Sequence, residues 1–146
     1  MTMSPTPGSV FAALSRLARL GLGGPVAGGK QSVSWIHQDD FLAALHFLIA
    51  REELSGAVNL AAPNPLPYAD FMRALRQAWG MPIGLPATRG MLELAAFVLR
   101  TESELVLKSR RVVPGRLLKA GFSFTQPDWP SAARDLVARA RAGPTH

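Results

Sequence analysis

The chain has 146 residues, 48% hydrophobic and 18% charged, with no cysteine. That balance allows one packed core and is globular rather than disordered, and the lack of cysteine excludes a disulfide scaffold, thiolate chemistry and a cysteine-based zinc site. The net charge of +6 is uneven: residues 1–104 carry eight basic and eight acidic side chains, whereas residues 105–146 carry eight basic ones against Asp128 and Asp135.

Taken in chain order, Gly8 to Leu20 reads as a helix, with Val10, Phe11, Leu14, Leu17 and Ala18 on one face. The glycine-rich run from Gly21 to Gly29 breaks it and forms a loop. Gln31 to His37 reads as a short strand, and Asp39 or Asp40 is expected to cap the next helix, which ends at Gly56. Ala57 to Ala61 is expected as a short buried strand, followed by a turn through Pro63, Asn64, Pro65 and Pro67. Tyr68 to Trp79 is an amphipathic helix closed by Gly80. Helical pieces are expected over 88–99 and 102–108, and Pro114 suits the first turn of a short helix that stops at Gly121. Phe122-Ser123-Phe124 reads as a strand, and Asp128 opens a terminal helix to about Ala140. Few short strands alternating with helices make a mixed α/β chain.

No apolar run approaches the ~20 residues of a membrane span. Residues 1–38 contain Arg16, Arg19 and Lys30 and no acid, but their prolines and glycines do not form a targeting helix. A cytoplasmic protein is expected.

Gly24 to Gln31 imitates the phosphate-loop spacing. A phosphate loop, however, follows a strand, opens a helix and ends in a Ser or Thr that holds magnesium. Here a helix precedes, a strand follows, and Gln31 occupies the hydroxyl position. A dinucleotide fingerprint fails too: counted from Gly21 and Gly23, the third glycine position is Val26. The only tyrosine, Tyr68, has Met72 four residues on, so a Tyr-x-x-x-Lys acid/base pair is absent. No His-Glu-x-x-His or other three-ligand set indicates a metal.

One order of motifs remains. Gly21-Leu22-Gly23-Gly24-Pro25, then Ser34-Trp35-Ile36-His37 with Asp39-Asp40, then Val58-Asn59-Leu60 with Ala62-Pro63, resembles the second half of extended short-chain dehydrogenase/reductases. The segment Arg111-Val112-Val113-Pro114, Arg116-Leu117-Leu118, Ala120-Gly121-Phe122 and Phe124 is similar to the small C-terminal domain of unknown function in the nucleoside-diphosphate-sugar epimerase family. The resemblance runs from about Met3 to Val137. It implies an α/β fold: a partial Rossmann-like fragment of late strands and helices over 1–62, then a small helical substrate lobe with short strands over 63–146. Met1–Ser4 would be a late Rossmann strand and Val58–Ala61 the sheet's last one.

The same resemblance implies that the complete family protein uses NAD(P), while this chain alone holds no cofactor and is not catalytic. Trp35, His37 and Asn59 are the residues expected near a small-molecule substrate cleft, by packing and hydrogen bonding. Family relatives that handle nucleotide sugars commonly carry an Arg two residues before the strand's aromatic, where this sequence has Val33. The expected partner is the missing N-terminal dinucleotide-binding half, or a second copy; nucleic acid and membrane are not expected. The alternative is a stand-alone interaction module whose basic C-terminal third holds an anionic partner.

Overall fold

The computed structural model describes residues 1–22, 29–84 and 111–143. The helices expected over 88–99 and 102–108, and most of the glycine-rich loop with its phosphate-loop-like spacing, lie outside the described residues. Within them the order is β1 (Thr2–Met3), α1 (Val10–Arg19), β2 (Ser32–Val33), β3 (Ile36–His37), α2 (Gln38–Ile49), β4 (Leu66–Pro67), α3 (Tyr68–Trp79), α4 (Gly115–Lys119) and α5 (Trp129–Ala142).

The helix ends follow sequence chemistry closely. Ser9 caps α1, its hydroxyl oxygen accepting from the Ala12 amide at 3.1 Å. Helices α1, α3 and α4 share one C-terminal device: the amides of Leu22, Met81 and Phe122 return to the carbonyls of Leu17, Arg76 and Leu117, across Gly21, Gly80 and Gly121 in the left-handed region. Only glycine adopts that turn without strain.

The strands depart from expectation. The segment 31–37 is two strands, because it serves two sheets. Ser32–Val33 pairs antiparallel with Leu66–Pro67, which sequence alone placed in a plain turn, and Ile36–His37 pairs parallel with Thr2–Met3. The junction between them, Ser34-Trp35, is a fastening point. The Trp35 carbonyl accepts from the Ala62 amide at 2.7 Å, the Ser34 hydroxyl accepts from the Val112 amide at 2.9 Å, and Ile36 donates to the Met1 carbonyl.

Residues 57–61 form no strand: Val58 and Leu60 pack sideways into a side-chain cluster, and the neighbouring Ala62 amide goes to Trp35. Nor do residues 122–124, whose donors are already committed. Phe122 N–H closes α4, and the following amides of Thr125 and Gln126 both donate to Asp40. Helix α2 begins two residues earlier than an Asp39 cap would set it, and three earlier than an Asp40 cap. Its cap is His37, whose Nδ1 accepts from the Asp39 amide at 3.1 Å, and it ends at Ala50, well short of Gly56.

Two apolar clusters result. The larger joins α1, α3 and α5 over the strands, drawing Met3, Phe11, Trp35, Phe71, Leu75, Trp129 and Leu136 from both sides of residue 62. Trp129 stacks on Phe71 with centroids 4.0 Å apart, meets Trp35 edge-on at 5.1 Å, and donates its indole N–H to the Phe71 carbonyl. The smaller cluster holds Ala44, Leu117 and Phe122 with Phe47, Leu48, Val58, Leu60 and Phe124 around them. Beyond it, α2 turns Leu42 and Ile49 outward, 54% and 77% exposed, while Phe41, Leu45 and Leu48 are half-buried. No helix among the described residues is long and apolar enough to cross a membrane.

Candidate functional site

Strands β1 and β3 run parallel, and the residues that follow them share one end of the pair. The Pro5–Pro7 turn follows β1, and Gln38 opens α2 directly after β3. The end of α5 closes this corner. Together Pro5, Thr6, Pro7, Gln38, Arg139, Ala140, Ala142 and Gly143 line a groove of about 500 Å³, within the size range of small-molecule clefts. The carboxyl end of parallel strands is where open α/β sheets place ligands.

Behind the groove stands a polar network. His37 is fully buried. Because its Nδ1 accepts from the Asp39 amide, Nε2 carries the proton and donates to Asp135 Oδ2 at 3.0 Å. Arg139 donates through Nε to Asp135 at 2.8 Å and through both terminal nitrogens to Asp39, at 2.6 and 3.2 Å. The Arg139 hydrogen bond holds the Asp39 carboxyl below its ordinary range against an opposing effect of burial, and Asp39 in turn raises the guanidinium. The network ties α5 to the start of α2. Toward the groove it leaves a hydroxyl, a carboxamide and the flank of a guanidinium, which can orient a polar ligand by hydrogen bonds.

Of the three residues expected near substrate, Trp35 and His37 sit side by side but inside. Trp35 is buried among aromatic rings with its indole N–H unpartnered, and His37 is one layer beneath the groove. Asn59 is exposed, between Val58 and Leu60 of the smaller cluster. Sequence reasoning missed Asp135 and Arg139. Their i,i+4 spacing on the last helix was the available signal, since such pairs share a face. Asp40, expected from sequence only as a helix cap, is instead buried and accepts from Thr125 N, Thr125 Oγ1 and Gln126 N at 2.5–2.8 Å. Among the described residues no cluster of His, Asp and Glu is arranged to hold a metal.

Tyr68 and Met72, at the spacing where an acid/base pair would stand, are both core residues, with burial pushing the Tyr68 phenol above its usual range. Helix α1 follows a Pro–Thr–Pro–Gly turn and is capped by Ser9, not by a phosphate-cradling glycine turn.

Comparison with known proteins agrees with the resemblance. Residues 89–136 match the family model described as a domain of unknown function, DUF1731. The mouse epimerase family protein SDR39U1 is 32% identical over 121 residues, covering 82% of this chain and 40% of that protein. The Bacillus subtilis epimerase family protein YfhF is 31% identical over 116 residues, covering 80% and 37%. Among solved structures, human SDR39U1, crystallised with NADPH, superposes with a TM-score of 0.79 at 24% identity, over 94% of this chain and 45% of that one. The nucleoside-diphosphate sugar epimerase from Corynebacterium glutamicum gives 0.66 at 26% identity, over 94% and 25%. The chain thus spans about 40% of the mouse and Bacillus relatives.

Proposed function

We propose that this chain, homologous to epimerase family proteins over four fifths of its length, is the substrate-side, C-terminal part of an NAD(P)-dependent epimerase- or reductase-like protein of the cytoplasm. The observation that carries the reading is a coincidence of coverage and chemistry. The chain matches about 40% of each relative, and its sequence lacks the glycine fingerprint and the Tyr-x-x-x-Lys pair that the remainder of such proteins supplies. Residues 1–62 would then continue a dinucleotide-binding sheet, and residues 63–146 would close over substrate.

In this reading the groove beyond β1 and β3 takes part of a small polar substrate. Thr6, Gln38 and Arg139 orient it, and the buried His37–Asp135 pair holds the groove's wall in place. Trp35 and His37 act from beneath by packing and hydrogen bonding, and Asn59, exposed outside the groove's lining, meets a more distant part of the substrate. Proton transfer belongs to the other half. The outward stripe of α2, Leu42 and Ile49, supports a missing cover, because a helix apolar on more than one face is a buried helix.

Fluorescence titration with NADPH tests this. The chain alone should show no saturable binding. Co-expression with the N-terminal part of the Bacillus subtilis relative, as a separate chain, should yield a complex that binds. Micromolar NADPH binding by the chain alone would overturn the proposal.

A further inference from the structure

Three helices finish at one place. Arg19, at the end of α1, and Arg141, at the end of α5, hold their guanidiniums 5.0 and 5.3 Å from the centre of the Trp79 ring, at the end of α3. Arg141 also donates to the Trp79 carbonyl at 3.1 Å. Arg16 is exposed one turn before Arg19. Among the described residues none of these three arginines pairs with an acid, and residues 1–38 contain no acid at all. Beside them Leu20 and Ile83 are 69% and 62% exposed. The chain next to Leu20 runs against that of Ile83, since a Cβ on Gly21 would lie 3.3 Å from the Ile83 carbonyl oxygen.

A purely structural role, cations neutralising helix ends, accounts for part of this. Three C-termini bring about −1.5 charges and three guanidiniums bring +3, so a surplus of about +1.5 remains. That surplus is concentrated, pre-oriented and bordered by apolar side chains. It also differs from the basic C-terminal third expected from sequence. In that third Arg139 is committed to Asp39 and Asp135, and Arg116 to the Ala57 carbonyl, so the positive site is assembled from both ends of the chain.

We infer that the converging C-termini of α1, α3 and α5 form a docking surface for an acidic peptide segment carrying apolar side chains. Carboxylates would meet Arg19, Arg141 and Arg16, and apolar groups would cover Leu20 and Ile83. Planar guanidiniums already held in place suit bidentate carboxylates. An anionic bilayer is disfavoured because recognition there draws on clusters of about 4–8 cations. Single-stranded nucleic acid is disfavoured because two arginines already crowd the one indole that a base would stack on.

The test is anisotropy titration of the full chain with a fluorescein-labelled peptide of alternating glutamate and leucine. Saturable binding should weaken as salt rises. Arg19→Ala with Arg141→Ala should weaken it about tenfold, as for the loss of charged hydrogen bonds. Arg16→Ala, on an exposed side chain with no ion pair among the described residues, should weaken it by a smaller factor. Lys119→Ala, an equal loss of charge elsewhere, should leave it within about twofold. Melting curves on each variant separate lost binding from lost folding. Equal weakening by Lys119→Ala, or preferential binding of phosphatidylserine vesicles or oligo(dT), would overturn the inference.

Discussion

The two clusters of buried side chains are built on different principles. Around α1, α3 and α5 the glycine-closed helix ends and stacked aromatics surround a core so apolar that its polar atoms are few: the Trp129 indole N–H is bonded, the Trp35 indole N–H is not. In the cluster around α2 and α4 the buried apolar residues are Ala44, Leu117 and Phe122, and position is fixed by polar ties: three bonds into Asp40, the His37 cap and Arg116 reaching the Ala57 carbonyl. One region is held by area removed from water, the other by a few directional contacts with an apolar helix face left over. The second arrangement suits an element that completes its burial against something else.

Mutations should separate the two regimes. Trp129→Ala empties the centre of the large cluster and should cost ~3–5 kcal/mol in denaturant unfolding; a value near 1 would mean that this core does not dominate. Asp40→Ala strands two backbone amides and a hydroxyl and should cost roughly 2–3 kcal/mol, despite removing no apolar surface. If it proved harmless, the polar account of the smaller region would fail. Leu117→Ala, in a cluster with more room to relax, should cost about 2 kcal/mol, toward the low end for such truncations. His37→Asn should be about 1 kcal/mol less damaging than His37→Ala, since Asn still accepts the α2 cap bond; equal damage would remove His37 as the cap.

The smallest effect belongs to Asp39. Its folded pKa lies below the ordinary value of 3.8, chiefly through the Arg139 hydrogen bond. Its stabilisation is therefore fully present above that pH and disappears as pH falls through the folded value. The carboxylate is 44% exposed, so solvent screens the pair, and Arg139→Ala should cost well under 1 kcal/mol at neutral pH. Unfolding free energies of wild type and variant should converge as pH falls through the lowered folded pKa of Asp39; a gap that widened on acidification would contradict the sign.

What sequence revealed tracks how local the cause is. The span of α3, its closure at Gly80 and the burial of its Phe71, Met72 and Leu75 face follow from periodicity and one glycine. The resemblance to epimerase relatives likewise rested on contiguous motifs. Strands and caps were misread where remote groups decide them. Residues 122–124 have strand-like residues, yet Leu117 and Asp40 claim the donors there and next to it. Asp39 and Asp40 are typical caps, but Arg139 and Thr125 hold them, and the cap falls to His37. Groove-lining Arg139 was legible only as one cation among eight after residue 104.

The Ser34-Trp35 junction has a further consequence, for the order of events during synthesis. Its hydroxyl waits for the Val112 amide, 78 residues downstream. At 5–20 residues per second a ribosome supplies that partner roughly 4–16 s after Ser34 itself appears. Trp35 waits longer still for Trp129, the ring it meets edge-on. Until α5 emerges, the nascent chain carries Met3, Phe11 and Trp35 in a cluster that still lacks Trp129 and Leu136. The molecule is therefore most vulnerable to misassociation before its last thirty or so residues emerge, and ribosome-bound chaperones or slower growth at low temperature should raise its yield far more than any change in the buffer used to store it.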